Sequence, residues 1–111
     1  MQVQAITKNV RMSAQKMREM VRQIQGLPAL QAQAVLKFVA RKSARVVAKT
    51  LDSAIANAEN NPPHVKVENL KVKEAVAQTA RTLKRFTPKA RGSAGPILKR
   101  SCHVKIVVSD E

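Results

Sequence analysis

The sequence is poor in the residue types from which many catalytic and base-recognition sites are built. Tyrosine and tryptophan are absent, and Phe38 and Phe86 are the only aromatic residues. This argues against surfaces that stack rows of splayed bases, such as RNA-recognition sheets and cold-shock barrels. The single cysteine, Cys102, excludes an internal disulfide and a zinc site built from cysteines. No run reaches the roughly 18 apolar residues of a membrane span and no secretory leader opens the chain, so we expect a soluble intracellular protein.

Acidic residues are scarce as well, and their distribution is uneven. The 111 residues include 21 Lys and Arg against 7 Asp and Glu, which gives a net charge of +14. Residues 1–50 hold ten basic residues and one acid, and residues 75–109 hold eight basic residues and no acid. The stretch between them holds four acids and three basic residues. Such blocks of one sign favour a polyanionic partner, although a solvated basic face is the alternative interpretation.

The apolar pattern predicts one strand and three helices before the prolines near residue 62. Residues 2–10 partly alternate, as in a strand. Ser13 is a plausible N-cap for a first amphipathic helix that stops near Gly26. Pro28 begins a second helix, and a third runs from about residue 42 to residue 60, where Asn-Asn-Pro-Pro ends it.

After the prolines the apolar period changes from helical to two, which predicts a long β-hairpin. Its arms cover about residues 65–81 and 97–109, residues 86–96 form the turn, and a change of parity near residues 68–69 indicates a bulge or a twist. At about 3.3 Å per residue the arms span on the order of 45 to 55 Å, far more than the radius of gyration of about 13 Å expected for a compact body of this size. The outer part of the hairpin must therefore project.

The predicted fold is α+β, with a small body of three helices packed on a short antiparallel sheet and a long protruding β-hairpin. We expect a single domain over residues 1–111, because this length leaves no room for two cores. The body covers about residues 1–76 and 101–111, and the extended hairpin covers about residues 77–100.

Basic residues in two regions are the candidate phosphate contacts. In the hairpin they are Arg81, Lys84, Arg85, Lys89, Arg91, Lys99 and Arg100. In the body they are Lys8, Arg11, Lys16, Arg18 and Arg22 around the junction of strand and helix, and Arg41, Arg45 and Lys49 at i, i+4, i+8 in the third helix. Arg and Lys at the tip of a turn shaped by Pro and Gly suit a phosphate-rich partner, and helix N-terminal amides favour the same ligand. A solvated helix face explains the third-helix stripe about as well.

Catalysis and cofactor binding have little support in the sequence. Cys102 and His103 are adjacent, so on a strand they point to opposite faces and cannot act as nucleophile and base. His64, at the start of a strand, is more typical of a structural or RNA-facing residue. The acids have no metal-ligand spacing, and no phosphate-cradling glycine loop is present. We therefore expect no enzyme, no metal and no cofactor.

Two other binding functions remain as alternatives. A nucleoid-type architectural protein would share the size, the charge and the basic ribbon, but it would dimerise on DNA and usually carries a helix after the arms. A membrane-active cationic peptide would need bulky apolar anchors, and alanine-rich helix faces without tryptophan are poor anchors.

Several sequence blocks, in order along nearly the whole chain, resemble the bacterial large-subunit ribosomal protein twenty-two family. They are residues 11–18 (RMSAQKMR), 48–60 (AKTLDSAIANAEN), 69–75 (NLKVKEA), 82–86 (TLKRF) and 90–92 (ARG), together with Val21, Gly26, Pro88, Lys99-Arg100, His103 and the closing Val-Val-Ser.

The resemblance implies a cytoplasmic protein of the large ribosomal subunit that binds 23S rRNA and acts early in subunit assembly. It also implies a monomer whose hairpin lines the peptide exit tunnel, close to ribosomal protein four and to the passing nascent peptide. The tunnel-lining tip would comprise Phe86, Pro88, Lys89, Ala90, Arg91, Gly92 and Ser93.

Overall fold

The chain forms three helices and five strands in a computed structural model that describes residues 2–62, 64–88, 92 and 94–110. Their order is β1 (Gln2–Val10), α1 (Ala14–Ile24), α2 (Ala29–Phe38), α3 (Lys42–Asn60), β2 (Lys71–Thr79), β3 (Leu83–Pro88), β4 (Ala94–Lys99) and β5 (Cys102–Ser109). Strands β1, β5 and β2 form an antiparallel sheet with β5 in the centre, and β3 and β4 form a separate two-stranded ribbon.

The first helix follows the local signals in the sequence. The Ser13 hydroxyl accepts a hydrogen bond from the backbone N–H of Lys16 at 3.4 Å, which caps α1. The helix ends just before Gly26, whose φ of 84° lies in the left-handed region that glycine adopts without strain. Its apolar face, which includes Met17 and Ile24, is buried. The predicted strand at residues 2–10 and the predicted first helix are confirmed.

The predicted second and third helices are also confirmed. Their bounds could be predicted because strong sequence signals mark the helix ends. Helix α2 begins directly after Pro28, and α3 ends at Asn60 before the proline pair. Ala44, Ala54 and Ala58 of α3 are fully buried, so small side chains bring its backbone close to its neighbours. The helices cover one face of the sheet, where α1 packs on β2 and α3 packs on β1 and β5.

The first arm of the hairpin begins later than the sequence predicts. Residues 67–69 form a short 3-10 turn where the sequence predicts a bulge or a twist, and β2 starts at Lys71 instead of Val65. The loop between α1 and α2 pairs with this start: Gly26 N–H donates to the Val72 carbonyl at 2.9 Å, and Ala29 N–H donates to the Leu70 carbonyl at 3.0 Å. The register between β2 and β5 shifts between Val72 and Glu74. This bulge lies where the long-range bonds from the loop hold β2.

The hairpin leaves the body at a break in both arms. Beyond Thr79 and before Cys102 the ladder is interrupted, and Ala80 N–H donates to the Ser101 carbonyl at 3.0 Å across the break. The ribbon then resumes with Leu83 opposite Lys99.

The predicted turn at residues 86–96 is too wide. Phe86, Thr87 and Pro88 pair with Pro96, Gly95 and Ala94, so both prolines stand in strands. A two-stranded ribbon tolerates prolines at alternate positions of each strand, where the backbone N–H points away from the partner and its absence costs no ladder bond.

The ribbon gives the molecule an elongated shape. The principal extents are 64 × 26 × 17 Å and the radius of gyration is 17.1 Å, compared with about 13 Å for a compact chain of this length. Strands β3 and β4 pack chiefly against each other and little against the helices. The predicted α+β body with a long protruding hairpin is therefore confirmed.

Candidate nucleic-acid interface

The ribbon is exposed, and it carries basic side chains on both of its faces. Opposite residues in an antiparallel pair share a face, so Arg85 lies beside Ile97 on one face and Lys84 lies beside Leu98 on the other. The basic residues of the hairpin that the structure describes are all exposed, and they are Arg81, Lys84, Arg85, Lys99 and Arg100. Neither face offers the continuous apolar row of a packed sheet, so cations and exposed aliphatic side chains alternate around the ribbon.

The structure describes part of the tip of the ribbon. Phe86 is 77% exposed, and its opposite neighbour in the ribbon is Pro96. Gly92 has φ of 74°, a backbone conformation that favours glycine. Four of the predicted site residues, Lys89, Ala90, Arg91 and Ser93, lie outside the described residues.

A polar groove of about 410 Å³ lies where the ribbon leaves the body. It is lined by Ser13, Ala14, Gln15, Arg18, Thr79, Arg100 and Ser101. Arg18 of α1 donates from Nε to the Ala77 carbonyl of β2 at 3.2 Å, which fixes this side chain on the sheet edge. The groove therefore brings Arg18, Arg100 and the start of α1 together, although they are far apart in sequence. Two guanidinium groups beside a helix N-terminus form a favourable environment for a phosphate.

A second cleft, of about 450 Å³, lies between the starts of α1 and α3. It is lined by Met12, Lys16, Glu19, Arg41, Lys42 and Ser43. Arg41 Nη1 lies 3.2 Å from Glu19 Oε2, and both side chains are 57% exposed. Lys42 Nζ donates to the Arg11 carbonyl at 3.3 Å. Lys16, Arg41 and Lys42 thus surround the first turn of α3, and Glu19 offsets one of these three charges.

Lys42 is a candidate contact that the sequence analysis missed. It is the first residue of α3, a helix that has no side-chain cap and no acid in its first turn. A cation at the N-terminus of a helix interacts unfavourably with the helix dipole unless an anion is bound nearby. The pair Arg41 and Lys42 at the start of α3 is therefore a sequence feature that indicates an anion-binding position.

The predicted stripe on the third helix is shorter than expected. Arg41 precedes the helix in an extended conformation, with φ −128° and ψ 148°, and reaches towards α1. The stripe on α3 itself therefore consists of Arg45 and Lys49, both exposed. Because its backbone is extended, Arg41 does not continue the helical row of Arg45 and Lys49, and its side chain pairs with Glu19 instead.

The basic residues near the first helix do not form one cluster. Arg18 and Arg22 flank a shallow groove beside β2, whereas Lys16 faces the α1–α3 cleft. Lys8 lies within the register shift between Thr7 and Val10 of β1, Arg11 follows directly after this strand, and both are exposed. At that shift Asn9 has φ of 58°, and its N–H donates to His103 Nδ1 at 3.0 Å, so the His103 ring holds the bend between these two cations.

The structure keeps Cys102 and His103 apart. The Cys102 side chain is fully buried in the core, and desolvation raises the pKa of its thiol. His103 points to the opposite face, where it accepts the bond from Asn9. Within the described ranges, no group of three or more His, Cys, Asp or Glu side chains converges as metal ligands. Among the same residues, no helix combines the length and apolar character needed to cross a bilayer.

Comparison with known proteins identifies ribosomal relatives over almost the whole chain. The family model for ribosomal protein L22p/L17e matches residues 5–109. The large ribosomal subunit protein uL22 of Opitutus terrae is 50% identical over 110 residues, which cover 99% of this chain and 96% of that protein. The similarity includes the body, both arms and the ribbon.

Proposed function

This chain belongs to the ribosomal protein L22p/L17e family, and we propose that it binds large-subunit 23S rRNA through its two basic clefts and its ribbon. As a member of this family it is a structural constituent of the large subunit of cytoplasmic ribosomes and not an enzyme. The similarity extends along almost the full length of the uL22 relative, which favours this role over the nucleoid-type alternative.

The observation that carries the proposal is the exposed basic ribbon. Two-stranded ribbons are marginal in water, and this one has little contact with the helices that could support it. Its described charges are all positive, so phosphates on both sides would satisfy them and hold the strands together. RNA packed around β3 and β4 therefore supplies the stabilisation that the body does not.

The clefts of the body supply the remaining contacts. Arg18 and Arg100 hold one RNA segment at the root of the ribbon, and Lys16, Arg41 and Lys42 hold another beside α3. Arg45 and Lys49 extend this second surface along the helix. Because Lys and Arg that neutralise phosphates release condensed counterions, affinity comes largely from electrostatics. Fixing several RNA segments on one small protein is the role expected of a factor that acts early in subunit assembly.

The tip has a different role in this proposal. The ribbon reaches beyond the body to the wall of the peptide exit tunnel, where Phe86, Pro88 and Gly92 with Lys89, Ala90, Arg91 and Ser93 line the path of the nascent peptide. Ribosomal protein four is the proposed neighbour at this point, and the protein acts as a single copy.

Salt dependence of rRNA binding tests the phosphate contacts. We expect the change Lys84→Gln with Arg85→Gln to reduce the slope of log affinity against log salt by about 1.5, since each phosphate contact contributes about 0.7 to 0.9. The matched control, Lys66→Gln with Lys71→Gln, removes the same charge from the mixed-charge middle of the chain and should change the slope little. Binding that is independent of salt, or an equal loss in the control, would contradict the proposal.

A further inference from the structure

The outward face of α2 carries an apolar stripe that the protein itself leaves uncovered. Leu30, Ala34 and Phe38 are spaced by four residues and all are exposed, Leu30 by 50% and Phe38 by 90%. The opposite face of the same helix, with Ala32 and Leu36, is buried in the core. At four-residue spacing the three exposed side chains lie in one row along the helix, here called the α2 stripe.

Leu30 and Ala34 of the α2 stripe lie in a part of the chain that has no charge, and Phe38 follows directly after Lys37. Residues 23–36 contain no Lys, Arg, Asp or Glu, and this run is twice as long as the next longest charge-free runs, residues 1–7 and 92–98. Outside this run, no stretch of more than seven residues lacks a charged residue. A surface selected for phosphate contact would not exclude cations over this length.

The flank of the stripe also disfavours RNA. Gln33 donates from Nε2 to Asp52 Oδ1 at 3.0 Å, which holds a carboxylate beside the middle of α2. Lys37 is the single cation within the helix. A rim that carries both signs is complementary to another protein surface, whereas a phosphate backbone would be repelled by the carboxylate at this position.

A second copy of the chain does not fit this face. Helix α2 has ten residues and is about 15 Å long, so its outer face supplies only part of the roughly 800 Å² that each partner contributes to a stable interface. The net charge of +14 on each copy also opposes self-association. The partner must therefore be held in place by other contacts, as it is in a large assembly.

We propose that the α2 stripe docks an apolar surface of another protein of the large subunit, with aliphatic or aromatic side chains at its centre and charges of both signs at its rim. This inference rests on the proposed function, because only the assembled subunit brings such a partner into position. Phe38, at the C-terminal end of the stripe, is the main anchor, since buried aromatic side chains contribute most to protein interfaces.

Photocrosslinking in assembled large subunits tests the proposal. A benzophenone amino acid is placed at position 34 in one sample and at position 49 in another, and the crosslinked species are identified by mass spectrometry. We expect position 34 to crosslink to a peptide of a different large-subunit protein, and position 49 to crosslink to rRNA. A crosslink from position 34 to rRNA or to a second copy, or no crosslink at all, would overturn the inference. Failure of position 49 alone would count against the rRNA-binding function instead.

A substitution series separates docking from accidental proximity. With the probe kept at position 34, the change Leu30→Ser with Phe38→Ser should lower the protein crosslink about tenfold, the effect of losing a well-packed aromatic anchor. The control Ile6→Ser removes a 46% exposed apolar side chain from β1 and should leave the yield unchanged. An undiminished yield in the double variant would show that the stripe does not hold the partner.

Discussion

Thr7 and Thr50 join the first strand to the third helix through their hydroxyl groups. The two Oγ1 atoms are 2.7 Å apart, and Thr50 Oγ1 donates to the Val46 carbonyl at 2.9 Å. Because Thr50 uses its only hydroxyl proton on that carbonyl, Thr7 must be the donor to Thr50. Thr50 is 1% exposed, so this bond is shielded from water and fixes β1 against α3.

We predict that Thr50→Val costs about 1 to 2 kcal/mol of unfolding free energy, because it leaves the Thr7 hydroxyl without its acceptor in a partly buried site. In a Thr7→Val background the same change should cost about half as much or less, since replacing both polar partners restores a consistent apolar contact. Urea denaturation of the four proteins in this double-mutant cycle measures the difference. Strictly additive costs would mean that the two hydroxyls do not interact.

At the scale of elements, the ribbon and the body are expected to be energetically separate. We predict that replacing residues 83–99 by a short glycine linker changes the melting temperature of the protein by no more than a few degrees, because β3 and β4 bury little surface against the helices. The same deletion should weaken rRNA binding and reduce its salt slope. Calorimetry and filter binding provide the two measurements, and loss of cooperative unfolding after the deletion would contradict this view.

The elements that the sequence predicts well are those with local signals. The α3 bounds follow from an apolar period of 3.6 and from the prolines after Asn60, and α1 follows from Ser13 and Gly26. The predicted start of β2 was wrong because long-range backbone hydrogen bonds from the loop between α1 and α2 determine where this strand begins. The sequence also does not predict that Arg18 and Arg100 line the same groove, because this depends on how α1 lies across the arms of the hairpin and not on any local pattern.

At the scale of the whole molecule, the excess of positive charge should make the free protein respond to salt in the opposite direction from its RNA complex. We predict that raising NaCl from about 0.05 to about 0.5 M increases the melting temperature of the free protein, because screening weakens repulsion among its 21 basic residues. The variant Lys71→Glu with Lys73→Glu has a lower net charge and should respond less. A melting temperature that falls with salt would show that repulsion does not limit stability.

The 64 Å long axis also affects how the protein can leave a finished particle. Once RNA encloses the ribbon as proposed, lateral dissociation requires the surrounding RNA strands to separate. The broad body prevents withdrawal in one direction along the long axis. Departure is then controlled by rearrangement of the enclosing RNA and not by the strength of any single ion pair. We therefore expect the bound protein to exchange only slowly with free protein, even where each contact with the RNA is weak.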